Sequence, residues 1–480
     1  MPANATMCYA HPGGYGEQNS LLRHKDAPSV NSTKIDICES SHREVTPGKC
    51  ILNSVAMALV YFLAFSGFAA LRNLESSIDR LAEIRCLYVT VGSLHHRRKG
   101  IGGGDVDVYG VAGGSKLLPG QLYAVSGAAL FGFMAGPGWT AQLSYTTNTA
   151  IKYAQLKAKD EEHMVEVSNG IFYLGYSSAQ VVGNLISSLI LENNNSNVKH
   201  NLSQQSQCGV NFCPVVNPVA PSPEASVPEN TLHGLFGIFL AGPVLALLVS
   251  GLLLDPVRQF FVVNHGDGSR GCGRWRDELM APLKLFKDVR MVLLVPAILY
   301  SGIEQILMFA SFNEAFVSCA IGVDYVGFIM ICWGVASAGS SFLSGILARC
   351  FGRCFLCVSS LVMGLGLQMY FLFWRLTGSR VIVYFAVSAT WGVADGLLQT
   401  QLSSLLGLVF KENHNPAFAN FRMLSYFGYA VTYAATAVMC QATEIYITSG
   451  IICLSIVSYI FLEIFLRRRG ESRLLLYQSL

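Results

Sequence analysis

Long apolar stretches separated by polar connections dominate the chain, and ten of them can cross a lipid bilayer. A spanning helix needs roughly 20 mostly apolar residues, because each residue rises about 1.5 Å and the hydrocarbon core is about 30 Å thick. The ten stretches are residues 51–71, 118–139, 170–191, 232–254, 291–310, 325–347, 355–374, 381–406, 427–440 and 445–466. They lack the strict alternation of membrane β-strands, and a helix satisfies its own backbone in lipid. The pattern therefore predicts an all-α polytopic membrane protein.

Composition agrees with that fold class and excludes several functions. Of the 480 residues, 52% are hydrophobic and only 13% are charged, so the lipid bilayer is the expected surroundings. The net charge of +3 gives no reason to expect nucleic-acid binding. Cys350, Cys354 and Cys357 lie close together, but a zinc site normally needs a second pair of ligands. We predict no cofactor, no metal site and no enzymatic activity, because no catalytic arrangement of Ser, His, Asp or Cys stands out.

The positions of lysine and arginine predict the orientation of the helices. Short cytoplasmic loops are rich in these cations. Alternate loops carry them here: Lys152, Lys157 and Lys159; several between Arg258 and Arg290; Arg349 and Arg353; Lys411 and Arg422; and Arg467, Arg468 and Arg469. Both termini are therefore predicted to be cytoplasmic, with residues 1–50 and 467–480 as tails of a multi-pass protein of the cell membrane.

The connection over residues 192–232 falls in the opposite, cation-poor set. It contains two glycosylation sequons, at Asn194 and Asn201, which are used only on the lumenal face. It also contains Cys208 and Cys213, which are close enough in sequence to form a disulfide in an oxidising compartment. We predict an extracellular or lumenal loop with this disulfide; chance sequons in an Asn-rich stretch are the alternative.

The polar connection over residues 255–290 divides the spans into two groups. Major-facilitator proteins join two six-helix bundles by such a cytoplasmic linker. Residues 291–466 contain a full set of six spans, whereas residues 51–254 contain about four. The intervening insert, residues 79–117, is rich in glycine and charge and cannot span. The chain thus resembles a major-facilitator-type two-bundle fold that lacks two helices of its N-terminal bundle.

Four sequence motifs carry a resemblance to a known family. They are GFAALRNLESSI at residues 67–78, GPGWTAQLSYTT at 136–147, EAFVSC with GFIMIC at 314–319 and 327–332, and WGVADGLLQTQ with AFANFR at 391–401 and 417–422. Together they are similar to the unc-93 family, a branch of the major facilitator superfamily.

The resemblance implies a regulatory role rather than catalysis. Family members act as accessory subunits of a potassium-channel complex or as escorts of membrane receptors. It therefore implies potassium-channel subunits as partners, held through packing of helices within the bilayer. A major-facilitator-type secondary transporter and a trafficking escort remain the alternatives, and no small-molecule substrate is identified.

A few polar side chains lie within the predicted spans. A charged side chain at mid-membrane costs about 2.5–3.5 kcal/mol on insertion scales, so it is usually paired, hydrated or functional. Asp395 could couple to a proton or cation, or it could hydrogen-bond across helices and fix their register. Trp139 and Arg422 fit anchors at the membrane boundary. The polar candidates are Asp395, Gln399, Glu304, Gln305 and Gln142.

Overall fold

A computed structural model describes residues 45–78, 108–109, 116–117, 119–192, 208–214, 229–255, 280–322, 324–374, 380–436 and 438–469. Ten α-helices account for nearly all of these residues. They are α1 (Pro47–Ile78), α2 (Pro119–Lys157), α3 (Glu161–Glu192), α4 (Glu229–Leu253), α5 (Val289–Ile306), α6 (Asp324–Phe351), α7 (Arg353–Phe373), α8 (Val381–Val409), α9 (His414–Thr436) and α10 (Gln441–Arg468). The described part of the chain thus confirms the all-α prediction.

Two short strands, a 3₁₀ turn and a π-helical stretch accompany the α-helices. The strands β1 (Val108–Tyr109) and β2 (Lys116–Leu117) pair antiparallel. A 3₁₀ turn covers Gly209–Asn211, and α5 continues without a break as a π-helix over Leu307–Ser318. A π-helical stretch changes the angular spacing of side chains along its rod, so it alters which side chains point toward the neighbouring helices.

Six of the helices are long and apolar enough to span a membrane, within the part of the chain that the structure describes. They are α1, α5 (with its π-helical extension), α6, α7, α8 and α10. The predicted span over residues 427–440 is wrong in its boundaries, because α9 begins at His414 and ends at Thr436. The first turns of α9 are polar, and several of their side chains are buried against other helices. Hydropathy alone therefore misses this part of the helix.

Local sequence explains two of the helix boundaries. The Asp288 side chain accepts a hydrogen bond from the Arg290 backbone N–H at 2.9 Å, which caps the start of α5. Gly352 separates α6 from α7 with φ of 81°, a backbone conformation that other residues adopt at an energetic cost. The chain can therefore turn between these two helices within one residue.

Helices α3 and α6 approach closely because glycines lie between them. A methyl group at Gly170 of α3 would be 2.6 Å from the Ser341 carbonyl oxygen of α6. A methyl group at Gly345 of α6 would be 3.0 Å from Cγ2 of Val167. Small residues are what allow helix backbones to meet in membranes. A hydrogen bond between the hydroxyls of Ser177 and Ser337 at 3.0 Å crosses the same interface, and Asn169 of α3 donates to Ser404 of α8 at 3.1 Å.

Several predicted segments lie outside the described residues. They are most of the tail over residues 1–50, most of the insert over 79–117, the greater part of the loop over 192–232 and the linker over 255–290, and the end of the tail over 467–480. Asn194 and Asn201 belong to this group. Where the first boundary is described, α1 already begins at Pro47, inside the predicted tail.

Candidate functional site

Asp395 lies at the centre of a buried polar cluster formed by three helices. Its side chain is 4% exposed. Gln305 of α5 donates from Nε2 to Asp395 Oδ1 at 3.0 Å, and Ser337 of α6 donates from Oγ to Asp395 Oδ2 at 3.2 Å. Both carboxylate oxygens of this α8 residue are thus held by donors on neighbouring helices.

Two further predicted residues lie in the same cluster. Glu304 is 1% exposed, and its carboxyl group neighbours that of Asp395 and the phenol of Tyr300. Gln399 neighbours Asp395 and donates from Nε2 to the Ser301 carbonyl oxygen at 3.1 Å. Four of the five polar residues singled out from the sequence therefore meet in one place, between α5, α6 and α8.

The fifth residue, Gln142, is buried within α2. It is 2% exposed, and its Nε2 donates to Thr146 Oγ1 at 3.0 Å within the same helix. No hydrogen bond links Gln142 to the Asp395 cluster among the described residues. Helix α9 does contact the Asp395 cluster, because the Tyr429 hydroxyl donates a hydrogen bond to Oε1 of Gln305.

The structure corrects the interpretation of Trp139 and Arg422 as boundary anchors. Trp139 is 6% exposed and lies well inside α2, which continues to Lys157. Arg422 is 9% exposed, and its guanidinium carbon lies 4.4 Å from the centre of the Trp139 ring. Both side chains are buried between helices of the two halves of the chain. Hydropathy could not indicate this position, because it places Arg422 before the predicted span over residues 427–440, whereas α9 begins at His414.

Arg353 is likewise buried, contrary to its interpretation as a cation of a cytoplasmic loop. Its Nη1 bonds Glu162 of α3 at 3.0 Å, and its Nη2 bonds Glu463 of α10 at 3.2 Å. The Tyr459 hydroxyl also donates to Glu463 Oε1 at 3.1 Å. One guanidinium thus joins three helices, α7, α3 and α10, at the end of the bundle where α6 turns into α7.

The predicted disulfide between Cys208 and Cys213 is wrong. Cys208 pairs with Cys319, just after the π-helical extension of α5, with Cα atoms 5.6 Å apart. Cys213 pairs with Cys440, just before α10, with Cα atoms 4.2 Å apart. The 3₁₀ turn between the two loop cysteines directs them to different helix ends. Phe212 between them is 4% exposed and packs against the core of the second half. Sequence proximity suggested the pair, whereas the partners are 111 and 227 residues away.

Comparison with known proteins gives the family. A family model described as "Ion channel regulatory protein UNC-93" matches residues 372–465. Protein unc-93 homolog A of Danio rerio is 31% identical over 350 residues, which are 72% of this chain and 74% of the relative. The human protein of the same name is 31% identical over 334 residues, covering 70% of this chain and 72% of the relative. A Caenorhabditis elegans protein, described in its name as a potassium channel regulatory protein, is 24% identical over 73% of this chain and 49% of its own length.

Solved structures of the major facilitator superfamily are also similar to this chain. A major-facilitator transporter in the outward conformation is 12% identical with a TM-score of 0.41, covering 88% of this chain and 91% of that one. The human organic anion transporter MFSD10 is 13% identical with a TM-score of 0.44, covering 87% and 100%. The 31% identity to unc-93 homolog A extends across most of both chains. This multi-pass membrane protein belongs to the UNC-93 family.

Proposed function

We propose that the protein is an accessory subunit that regulates a potassium channel. Relatives support the proposal: the matching family model is described as an ion channel regulatory protein, and the C. elegans relative is named for potassium channel regulation. On this proposal the protein lies in the cell membrane with both termini in the cytoplasm. The loop around Cys208 and Cys213 then faces the outside, where disulfides persist.

The observation that carries the proposal is the hydrogen bonding of the Asp395 carboxylate. A carboxylate that couples transport to an ion needs an oxygen that can face a cavity. Here Oδ1 and Oδ2 accept hydrogen bonds from Gln305 and Ser337, so the side chain joins α5, α6 and α8. This arrangement suits a polar link that fixes the register of packed helices. A bundle fixed in this way is suited to pack against a partner in the bilayer.

The experiment pairs physical association with a functional readout. The full chain is co-expressed with potassium-channel subunits from the same organism, and potassium current is recorded at matched surface levels of channel. We expect one channel to co-purify in detergent and to change its current when the chain is present. If no potassium channel changes its current or co-purifies, the proposal fails.

A secondary transporter is a second candidate, and one observation favours it. The carboxyl groups of Glu304 and Asp395 are neighbours in a buried site. Two neighbouring carboxyl groups in a buried site repel each other when both are charged, so binding a proton would stabilise the pair. A proton-coupled carrier would use such a pair, and uptake that follows a proton gradient and disappears in both Asp395→Asn and Glu304→Gln would support it. The trafficking-escort alternative predicts retention inside the cell together with a receptor.

A further inference from the structure

Within the part of the chain that the structure describes, Arg422 of α9 is a buried cation that lacks a carboxylate partner. Its side chain is 9% exposed. It lies about 12 Å from the start of α9 at His414, because each helical residue rises about 1.5 Å. Among the described residues no Asp or Glu forms an ion pair with it. The groups that act on it electrostatically are the phenols of Tyr173, Tyr426 and Tyr61. A positive charge inside a membrane protein is costly unless an anion or a cavity compensates it.

Most of the guanidinium's hydrogen-bonding capacity is available. A guanidinium carries five N–H donors in a planar fork. Within the described residues Arg422 donates one hydrogen bond, from Nη2 to the Tyr173 hydroxyl at 3.3 Å, and Nε has no acceptor. Arg353 provides the contrast within the same chain, because two carboxylates bind its guanidinium. Arg422 therefore has the donors for an acceptor that the described residues do not supply.

Aromatic rings surround this cation. The guanidinium carbon lies 4.4 Å from the centre of the Trp139 ring and 4.8 Å from that of Phe421. Behind Trp139 stand Tyr61, at 4.8 Å between ring centres, and Phe65, at 5.3 Å. Rings that pack on the face of a guanidinium leave its in-plane N–H groups free to donate to a hydrogen-bond acceptor. These rings provide an apolar surface beside such an acceptor.

The elements that meet here come from both halves of the chain. Trp139 lies on α2, Tyr61 on α1 and Tyr173 on α3, whereas Arg422 lies on α9. The Tyr173 hydroxyl also lies 2.8 Å from Ser403 Oγ of α8, which ties the phenol to the second half. Binding at this point would contact both halves at once.

We propose that Arg422, with Trp139 and Tyr173, forms a binding site for a small organic carboxylate that carries an aromatic or other apolar body. The carboxylate would accept N–H groups of the guanidinium in its plane, as bidentate arginine–carboxylate pairs do. The apolar body would pack on the rings around Trp139. This ligand site goes beyond the channel-regulatory role and stands independently of it.

Equilibrium binding tests the site in the purified full chain in detergent or nanodiscs. The probe is radiolabelled benzoate, and its uncharged isostere benzamide is the competitor. We expect saturable benzoate binding that benzamide does not displace, because only the carboxylate satisfies the buried cation. No saturable benzoate binding, or equal competition by benzamide, would overturn the proposal without any variant being made.

Variants then locate the site. Arg422→Gln is expected to weaken benzoate binding at least about thirtyfold, the scale for removing one partner of a buried charged hydrogen bond. Arg422→Lys keeps the charge but loses the planar fork, so we expect binding intermediate between the wild type and Arg422→Gln. The matched control is Arg349→Gln, which removes an equal charge from an exposed position and should leave binding unchanged. Binding in Arg422→Lys equal to the wild type, or in Arg422→Gln equal to Arg349→Gln, would refute the assignment. Because Arg422→Lys preserves the charge, it carries the test if Arg422→Gln does not fold.

Discussion

Gln305 Nε2 lies 3.0 Å from Asp395 Oδ1, so a single amide joins α5 to the buried carboxylate of α8. Ser337 of α6 holds the other carboxylate oxygen at 3.2 Å. An asparagine at position 395 can keep both bonds, because its oxygen accepts from Gln305 and its amide can donate to the serine hydroxyl. A leucine can keep neither.

The two substitutions at Asp395 should therefore differ in stability. We expect Asp395→Leu to lower the free energy of unfolding by about 1–3 kcal/mol, since it leaves buried donors unpaired. Asp395→Asn should change it by less than half as much. Thermal unfolding of the purified protein in detergent measures both. Equal loss in the two variants would mean that the charge, rather than the hydrogen bonding, holds the helices together.

Arg353 should be the most sensitive cation of the bundle. Replacing it with Gln leaves Glu162 and Glu463 without their shared partner, and breaking a buried pair in this way costs about 3–5 kcal/mol. The control is Lys411→Gln, whose pair with Glu161 is 52% and 33% exposed and is expected to contribute under about 1 kcal/mol. Unfolding midpoints of the two variants in the same detergent provide the comparison. A larger loss in Lys411→Gln than in Arg353→Gln would contradict the burial of Arg353.

Peptide mapping without reduction tests the cysteine pairing. We expect linked peptides that join Cys208 to Cys319 and Cys213 to Cys440. Removing either bond by a serine substitution should cost about 2–5 kcal/mol, as for other disulfides that close long loops. The exposed thiol Cys453 provides the matched control, since its replacement by serine breaks no bond. A peptide linking Cys208 directly to Cys213 would contradict the structure.

Gly170 should not tolerate a methyl group. An added Cβ would lie 2.6 Å from the Ser341 carbonyl oxygen, and overpacking of this kind costs about 1–3 kcal/mol. Gly339 of α6 has no atom within 4 Å of the corresponding position, so Gly339→Ala should be neutral or slightly stabilising. Similar unfolding midpoints for Gly170→Ala and Gly339→Ala would show that α3 and α6 are farther apart than described.

The fold class could be predicted from hydropathy because lipid-exposed helix faces must be apolar. The same rule misplaced α9, whose buried polar face lowers its hydropathy although the helix lies within the bundle. Asp395, Glu304, Gln305 and Gln399 could be singled out because charge and amide groups are rare in spans, and sequence spacing placed two of them on one face. The partners of Arg422, Arg353 and Cys208 could not be predicted, because each contact joins residues more than 100 positions apart.

The central claim is that the protein is a regulatory subunit whose buried carboxylate serves helix packing. The most direct test is to record potassium current through the associated channel, with wild-type protein and with Asp395→Asn at matched surface expression. We predict the same change in current with both proteins, because asparagine preserves the bonds to Gln305 and Ser337. Loss of the effect in a well-folded Asp395→Asn protein, or no effect of the wild-type protein on any potassium channel, would contradict it.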